Sequence, residues 1–293
     1  MPGRATLAFS FVVLSLIWGY SWVFLKLGSY DSGPFFFAAL RSLLGSSALL
    51  LALPLTGRRL LPNRFPELAL LGLINTAGLV GCSQWALVEG SAARTSILFY
   101  TMPFWTLLLA GLLLNERMRT AQWIALAFAG LGLVTIVQPW ALQGAVKSSL
   151  IAVAGAWFWA AGAVMIRWMH QRGAIDLLQI AGWQMAIGAM GLFGISALRA
   201  EPPVTWTNQF LIALTFTSFV STGLGWLIWV YLLRHLTAGA TGMTTLVIPV
   251  IAILSSAYHL GERLNASEIT GVLLILTGLA ILSIRTLRSK GTA

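Results

Sequence analysis

Apolar residues in this chain come in long unbroken runs, and polar residues collect in the short gaps between them. Asp, Glu, Lys and Arg are absent from Leu43–Thr56, Leu68–Val88 and Ser96–Leu114. A helix that crosses a hydrocarbon layer about 30 Å thick needs about 20 such residues in succession. The gaps carry turn chemistry, as in TGRRLLPNRFP at 56–66, QPWALQG at 138–144 and EPPVTW at 201–206. Cutting the chain at its gaps predicts ten helical spans, near 6–27, 34–56, 67–88, 91–114, 121–138, 148–169, 177–199, 207–233, 237–260 and 267–285. The first run is longer than the core of a signal peptide and has no A-x-A cleavage site, so it is read as the first span.

Composition sharpens this picture. Of the 293 residues, 58% are hydrophobic and only 9% charged, whereas a soluble domain hydrates its surface with about a quarter charged residues. The expected class is an all-α polytopic membrane protein, with lipid as its surroundings. A net charge of +10 raises nucleic acid as a partner. The charges, however, stand singly or in small groups between apolar runs, which is the pattern of membrane topology, and no nucleic-acid partner is expected. With the N-terminus inside, twelve Lys and Arg fall on the cytoplasmic side, and five (Lys26, Arg94, Lys147, Arg199 and Arg263) fall outside. That excess favours both termini in the cytoplasm. The single Cys82 allows no intramolecular disulfide.

Two fragments pair acid with base at the end of an apolar run: LLLNERMR at 112–119 and YHLGERLN at 258–265. Laying 90–136 on 236–282 without gaps matches Ala92 with Ala238, Thr95 with Thr241, Pro103 with Pro249, Glu116-Arg117 with Glu262-Arg263, and Gly132 with Gly278. Upstream, Trp18…Lys26 aligns with Trp159…Arg167. The chain reads as a duplication of a five-span unit, 1–138 and 148–286. Because five is odd, the second copy enters the membrane inverted. Glu116-Arg117 is then expected at the cytoplasmic face and Glu262-Arg263 at the outer face. Helix capping with local pairing is the preferred role over gating.

Trp18-Gly19 in span 1, Arg41 in span 2, Pro103 followed by Asn115-Glu116 across span 4, and a Gly-rich span 5 resemble the EamA unit of the drug/metabolite transporter superfamily. Trp159, Pro249, Gly261-Glu262 and Gly278 repeat these features more loosely. The whole chain is most similar to the bacterial YddG-type amino-acid exporters. That resemblance implies ten helices as two inverted five-helix repeats around a central cavity, in a bacterial inner membrane. It also implies efflux of amino acids, neutral and aromatic ones included, and of related metabolites by alternating access. Export of other small metabolites or drugs on the same fold is the alternative, since one fold serves many substrates. A monomer without cofactor is expected.

Depth along the spans selects candidate substrate-binding residues. Asn75, Gly78 and Cys82 share one face of span 3, and Tyr100 lies within a turn of Pro103 on span 4. Trp183 and Gln184 lie on span 7, and Thr245 one turn before Pro249. Pro103 and Pro249 fall at span centres, where a proline frees a carbonyl and kinks a helix. Trp18 and Trp159 sit too deep for an interfacial aromatic belt. Arg41, about two turns inside span 2, would cost about 2.5 kcal/mol or more if unpaired at a span's centre. It is expected either to bind a substrate carboxylate or, preferably, to pair with helix-end carbonyls or Glu89. The acidic residues all lie in loops or at span ends, and His170, His235 and His259 are also terminal. No ion carrier is evident, so facilitated efflux is the simpler expectation. No H-x-x-x-H, D-D-x-x-D or G-x-S-x-G motif is present, and an enzyme is not expected.

Overall fold

The structure, a computed structural model, describes residues 4–113, 118–138, 145–173, 176–235 and 244–288. These residues form ten helices: α1 (Arg4–Gly28), α2 (Pro34–Leu55), α3 (Phe65–Glu89), α4 (Ala92–Leu113), α5 (Thr120–Val137), α6 (Ala145–Gln171), α7 (Leu177–Leu198), α8 (208–235), α9 (Thr244–Leu260) and α10 (Ala266–Arg288). Among the described residues nine are long and apolar enough to cross a membrane, and α9 adds the shorter apolar stretch Val247–Leu260. The ten expected spans are therefore present. The face of the bundle at which α1 starts is called here the termini face, and the other the far face.

Short polar side chains set the helix starts. Ser91 Oγ accepts from Arg94 N at 3.1 Å to open α4, Asp176 Oδ1 from Leu178 N at 2.9 Å to open α7, and Thr207 Oγ1 from Phe210 N at 3.0 Å to open α8. Asn265 and Glu268 form a reciprocal capping box at α10, at 2.8 and 2.9 Å. Beyond the end of α9, Gly261 adopts φ +65°, the left-handed cap that a side chain would strain.

Packing follows the duplication. α1 packs on α9 and α8, while α6 packs on α4 and α3; α2 packs on α8, and α7 on α3. Exchanging each helix for the one five places along turns either contact set into the other. The three remaining major contacts, α2 with α7, α5 with α10 and α4 with α9, map onto themselves. This is the pattern of a two-fold axis lying in the membrane plane. In lipid, close approach through small residues replaces hydrophobic burial as the fastener. A Cβ on Gly188 of α7 would stand 2.4 Å from the Gly72 carbonyl of α3, and one on Gly132 of α5 would stand 2.7 Å from the Gly271 carbonyl of α10. Gly19 lets α1 lie against Ile251 of α9 in the same way.

Three helices are irregular near mid-depth. α3 and α8, the third helices of the two repeats, each carry a π segment, Gly72–Val80 and Phe216–Leu224, followed by Gly81 and Gly225. α4 is interrupted between Phe99 and Met102, because Pro103 has no N–H to return to the Phe99 carbonyl. Pro249 by contrast lies within the continuous helix α9, so the interruption beside Pro103 is not repeated there.

The acid–base fragments also depart from expectation in detail. Glu262 caps a helix, but one from the other repeat: its carboxylate accepts from Ala92 N at 2.8 Å and Ala93 N at 2.9 Å, at the start of α4. Glu201 does the same for α2, accepting from Phe35 N at 3.0 Å and Phe36 N at 2.8 Å. Residues 114–117, and with them Glu116-Arg117, lie outside the described residues.

Candidate functional site

The irregular segments converge on a cavity between the repeats. It has two lobes, of about 160 Å³ toward the far face and about 250 Å³ toward the termini face. Trp18, Asn75, Tyr100, Trp159 and Trp226 line both and form the waist between them. Arg41, Ser83, Ser221 and Thr222 belong to the far-face lobe only. Gln184, Met102, Trp229 and Ile248 belong to the termini-face lobe only.

Local structure explains how the waist is held. The Trp18 indole Nε1 donates to the Ser221 carbonyl at 3.0 Å, within the π segment of α8. Its ring packs edge-on against Trp226, centroids 6.2 Å apart, and lies tilted against Trp229 at 5.6 Å. Gly225 makes room, since a Cβ there would stand 2.5 Å from that indole nitrogen. Opposite, Trp159 meets Tyr100 edge-on at 5.7 Å, beside the α4 interruption. Asn75 lies over Gly162 of α6, where a Cβ would come 2.7 Å from Oδ1. Its Nδ2 donates to Gln184 Oε1 at 3.0 Å. Asn75 Oδ1 and Gln184 Nε2, both buried, have no partner.

Among the described residues Arg41 makes neither of the pairings preferred from the sequence. Glu89 instead accepts from Lys147 at 2.6 Å. The buried Arg41 Nε is unpartnered, and among the described residues no ion pair joins Arg41 to a carboxylate. Among the described residues neither lobe is lined by Asp or Glu, and the lining carries one fixed cation, Arg41, and no fixed anion.

Of the residues expected from the sequence, Trp18, Arg41, Asn75, Tyr100, Trp159 and Gln184 come together here. Asn75, Gly78 and Cys82 do share a face of α3, but that face packs on α6. Gly78 sits under the Phe158 ring, and Cys82 lies against Gly155. Neither lines the lobes, and of the three only Asn75 does. Trp183 turns away, donating from Nε1 to the Leu60 carbonyl at 2.8 Å and packing on Phe65. Pro103 and Pro249 do not line the lobes; their neighbours Met102 and Ile248 do. The Thr245 side chain lies outside the described residues. Sequence reasoning passed over Trp226, Trp229, Ser221 and Thr222 on α8. The hydroxyl-rich run TFTSFVSTG at 215–223, in mid-span, was their available signal.

The profile of the EamA-like transporter family matches residues 6–138 and again 146–284. The chain is 28% identical over 274 residues to the Bacillus subtilis protein named uncharacterized transporter YoaV, covering 92% of this chain and 93% of that one. It is 26% identical over 287 residues to a Salmonella typhimurium protein named probable amino-acid metabolite efflux pump, covering 92% of each. One solved protein structure superposes with a TM-score of 0.67 over 98% of this chain and 99% of its own, at 20% identity, which establishes a shared fold.

Proposed function

The chain belongs to the EamA-like transporter family, and from that premise we propose that this multi-pass membrane transporter exports amino acids and related small metabolites through the central cavity. The observation that carries the reading is the waist. Trp18, Tyr100, Trp159 and Trp226 supply apolar walls, and Asn75 supplies hydrogen-bonding atoms at the junction of two lobes that point to opposite faces. Such a mixture of aromatic wall and few polar groups suits a small zwitterion with an apolar side chain. The relative in Salmonella typhimurium is named for amino-acid metabolite efflux, which agrees with this substrate class.

In mechanism, the two lobes correspond to access from the two faces. The π segments of α3 and α8 and the interruption of α4 are the places where neighbouring helices can bend without losing a full ladder of backbone bonds. Rocking one repeat against the other would open one lobe while closing the other. The excess of Lys and Arg on the termini side supports a reading with both termini in the cytoplasm of a bacterial inner membrane; in that orientation export runs from the termini-face lobe to the far-face lobe. Among the described residues no carboxylate lines the lobes, which supports facilitated flux down the solute gradient as the simpler mode. The test is efflux of labelled amino acids from liposomes holding the purified protein. Saturable flux is expected for neutral and aromatic amino acids. Flux no greater than from protein-free liposomes for all twenty would overturn the assignment.

A further inference from the structure

Arg41 and Gln184 occupy the same place in the two repeats: each is the eighth residue of its helix, α2 from Pro34 and α7 from Leu177. Because the repeats are inverted, each lies about 10 Å inside its own face, Arg41 in the far-face lobe and Gln184 in the termini-face lobe. Asn75 stands between them at the waist. Duplication would have made these positions equal, yet one now holds a permanent cation and the other a neutral amide. A guanidinium inside a membrane bundle is costly unless something accepts its hydrogen bonds. Among the described residues no ion pair serves Arg41, its Nε is unpartnered, and no acid lines the cavity to balance it.

The amide pair has a matching surplus. Asn75 is 6% exposed and Gln184 0%. They spend one N–H and one oxygen on each other, leaving Asn75 Oδ1 and Gln184 Nε2 unsatisfied. Turning both amides over exchanges the roles but leaves the same surplus, one donor and one acceptor. A cluster with a fixed cation, a spare donor and a spare acceptor is complementary to a carboxylate with an amino group beside it.

We propose that this cluster is a carboxylate subsite: Arg41 anchors the carboxylate in the far-face lobe, and the free oxygen of the Asn75–Gln184 pair receives an adjacent amino group. The carrier then selects solutes with a free carboxylate and rejects organic cations, for which Arg41 is a repulsive element. The proposal rests on the export reading above and narrows its substrate class.

Three probes of one shape separate the contributions: phenylalanine, 3-phenylpropionate and phenethylamine. Each is measured twice, by the rise it causes in the melting temperature of the purified protein and by flux in liposomes. Phenylalanine and 3-phenylpropionate should bind, and phenethylamine should bind about tenfold more weakly or worse, as loss of a charge-assisted bond implies. Arg41→Gln should remove that preference, and Arg41→Lys should keep part of it, since charge survives without the planar fork. Asn75→Leu should weaken phenylalanine while sparing 3-phenylpropionate. The wild-type ratio decides even if a variant misfolds. Phenethylamine binding as tightly as phenylalanine overturns the subsite and leaves export standing. Binding with the expected preference, but flux at the protein-free level for these probes and for all twenty amino acids, overturns export and leaves the subsite standing. Binding by none of the three overturns the subsite, and absence of flux for all twenty amino acids as well overturns both.

Discussion

Glu262→Ala tests whether the two repeats are clasped through a helix start. In the wild type, the Glu262 carboxylate takes the Ala92 and Ala93 amides at 2.8 and 2.9 Å, and both alanines are fully buried. Without it, two donors at the first turn of α4 lose their acceptor. A buried donor left unsatisfied costs about 1–3 kcal/mol, and the lost charge at a helix N-terminus adds about 0.3–1 kcal/mol. Glu262 is itself half-buried, so water can recover part of this, and a loss of about 2–3 kcal/mol is expected. Glu262→Gln keeps one oxygen in place and should lose about half as much. Thermal unfolding of the detergent-purified protein, followed by tryptophan fluorescence, should rank wild type above Glu262→Gln above Glu262→Ala. Glu201→Ala should match Glu262→Ala, because Glu201 holds the start of α2 in the same way. A Glu262→Ala protein that melts within about a degree of wild type would refute the reasoning and leave the cap a bystander.

Gly188→Ala should cost expression and monodispersity, since its Cβ would meet Thr76 Cβ at 2.3 Å and the Gly72 carbonyl at 2.4 Å. Gly130→Ala, which meets nothing within 4 Å, should be neutral or slightly stabilising. Trp159→Ala should cut amino-acid efflux while leaving expression near normal; loss of stable expression instead would make Trp159 a packing residue. In a Cys82→Ser background, an impermeant thiol reagent added to whole cells should label Ala266→Cys and spare Thr120→Cys, and the reverse would invert the topology. Exchanging Arg41→Gln with Gln184→Arg should restore the carboxylate preference that Arg41→Gln abolishes, with the tighter side now facing the termini, read as the solute concentration for half-maximal flux from each side.

The spans were legible because a helix surrounded by lipid must be apolar on every side, and the gaps announce themselves with Gly, Pro and charge. What each helix face meets was not legible. The spacing of Asn75, Gly78 and Cys82 correctly put them on one side of α3, but spacing says nothing about which helix lies opposite, and α6 covers two of the three. Trp183 and Gln184 differ by one residue, hence by about 100° around α7. Only one of them could face the cavity, and polarity alone did not decide which. The π segments left no distinct trace: GLINTAGLV and FTSFVSTGL contain ordinary membrane-helix residues, and the widening arises from packing rather than from local propensity. Glu262 was legible as a cap but not as the cap of α4, because its partner lies 170 residues away.

The scaffold and the lining answer to different constraints. Each major inter-helix contact has a counterpart five helices along or maps onto itself, so on the alternating-access reading the forms open to either face are built from matched contacts and need differ little in stability. A solute shifts such a balance only by the difference between its affinities for the two forms. That difference must come from whatever the symmetry does not copy. Tyr100 stands at an interrupted α4, whereas its counterpart helix α9 is continuous; Trp18 binds a π-segment carbonyl, whereas Trp159 packs on Tyr100; Arg41 faces one lobe and Gln184 the other. On the export reading, a carboxylate that meets only amides near the termini face and a guanidinium near the far face is held more tightly as it moves outward. The same attraction slows its release. A high outside concentration should therefore load the far-face lobe readily and oppose net efflux, which makes the Arg41 position a control on direction as well as on selectivity.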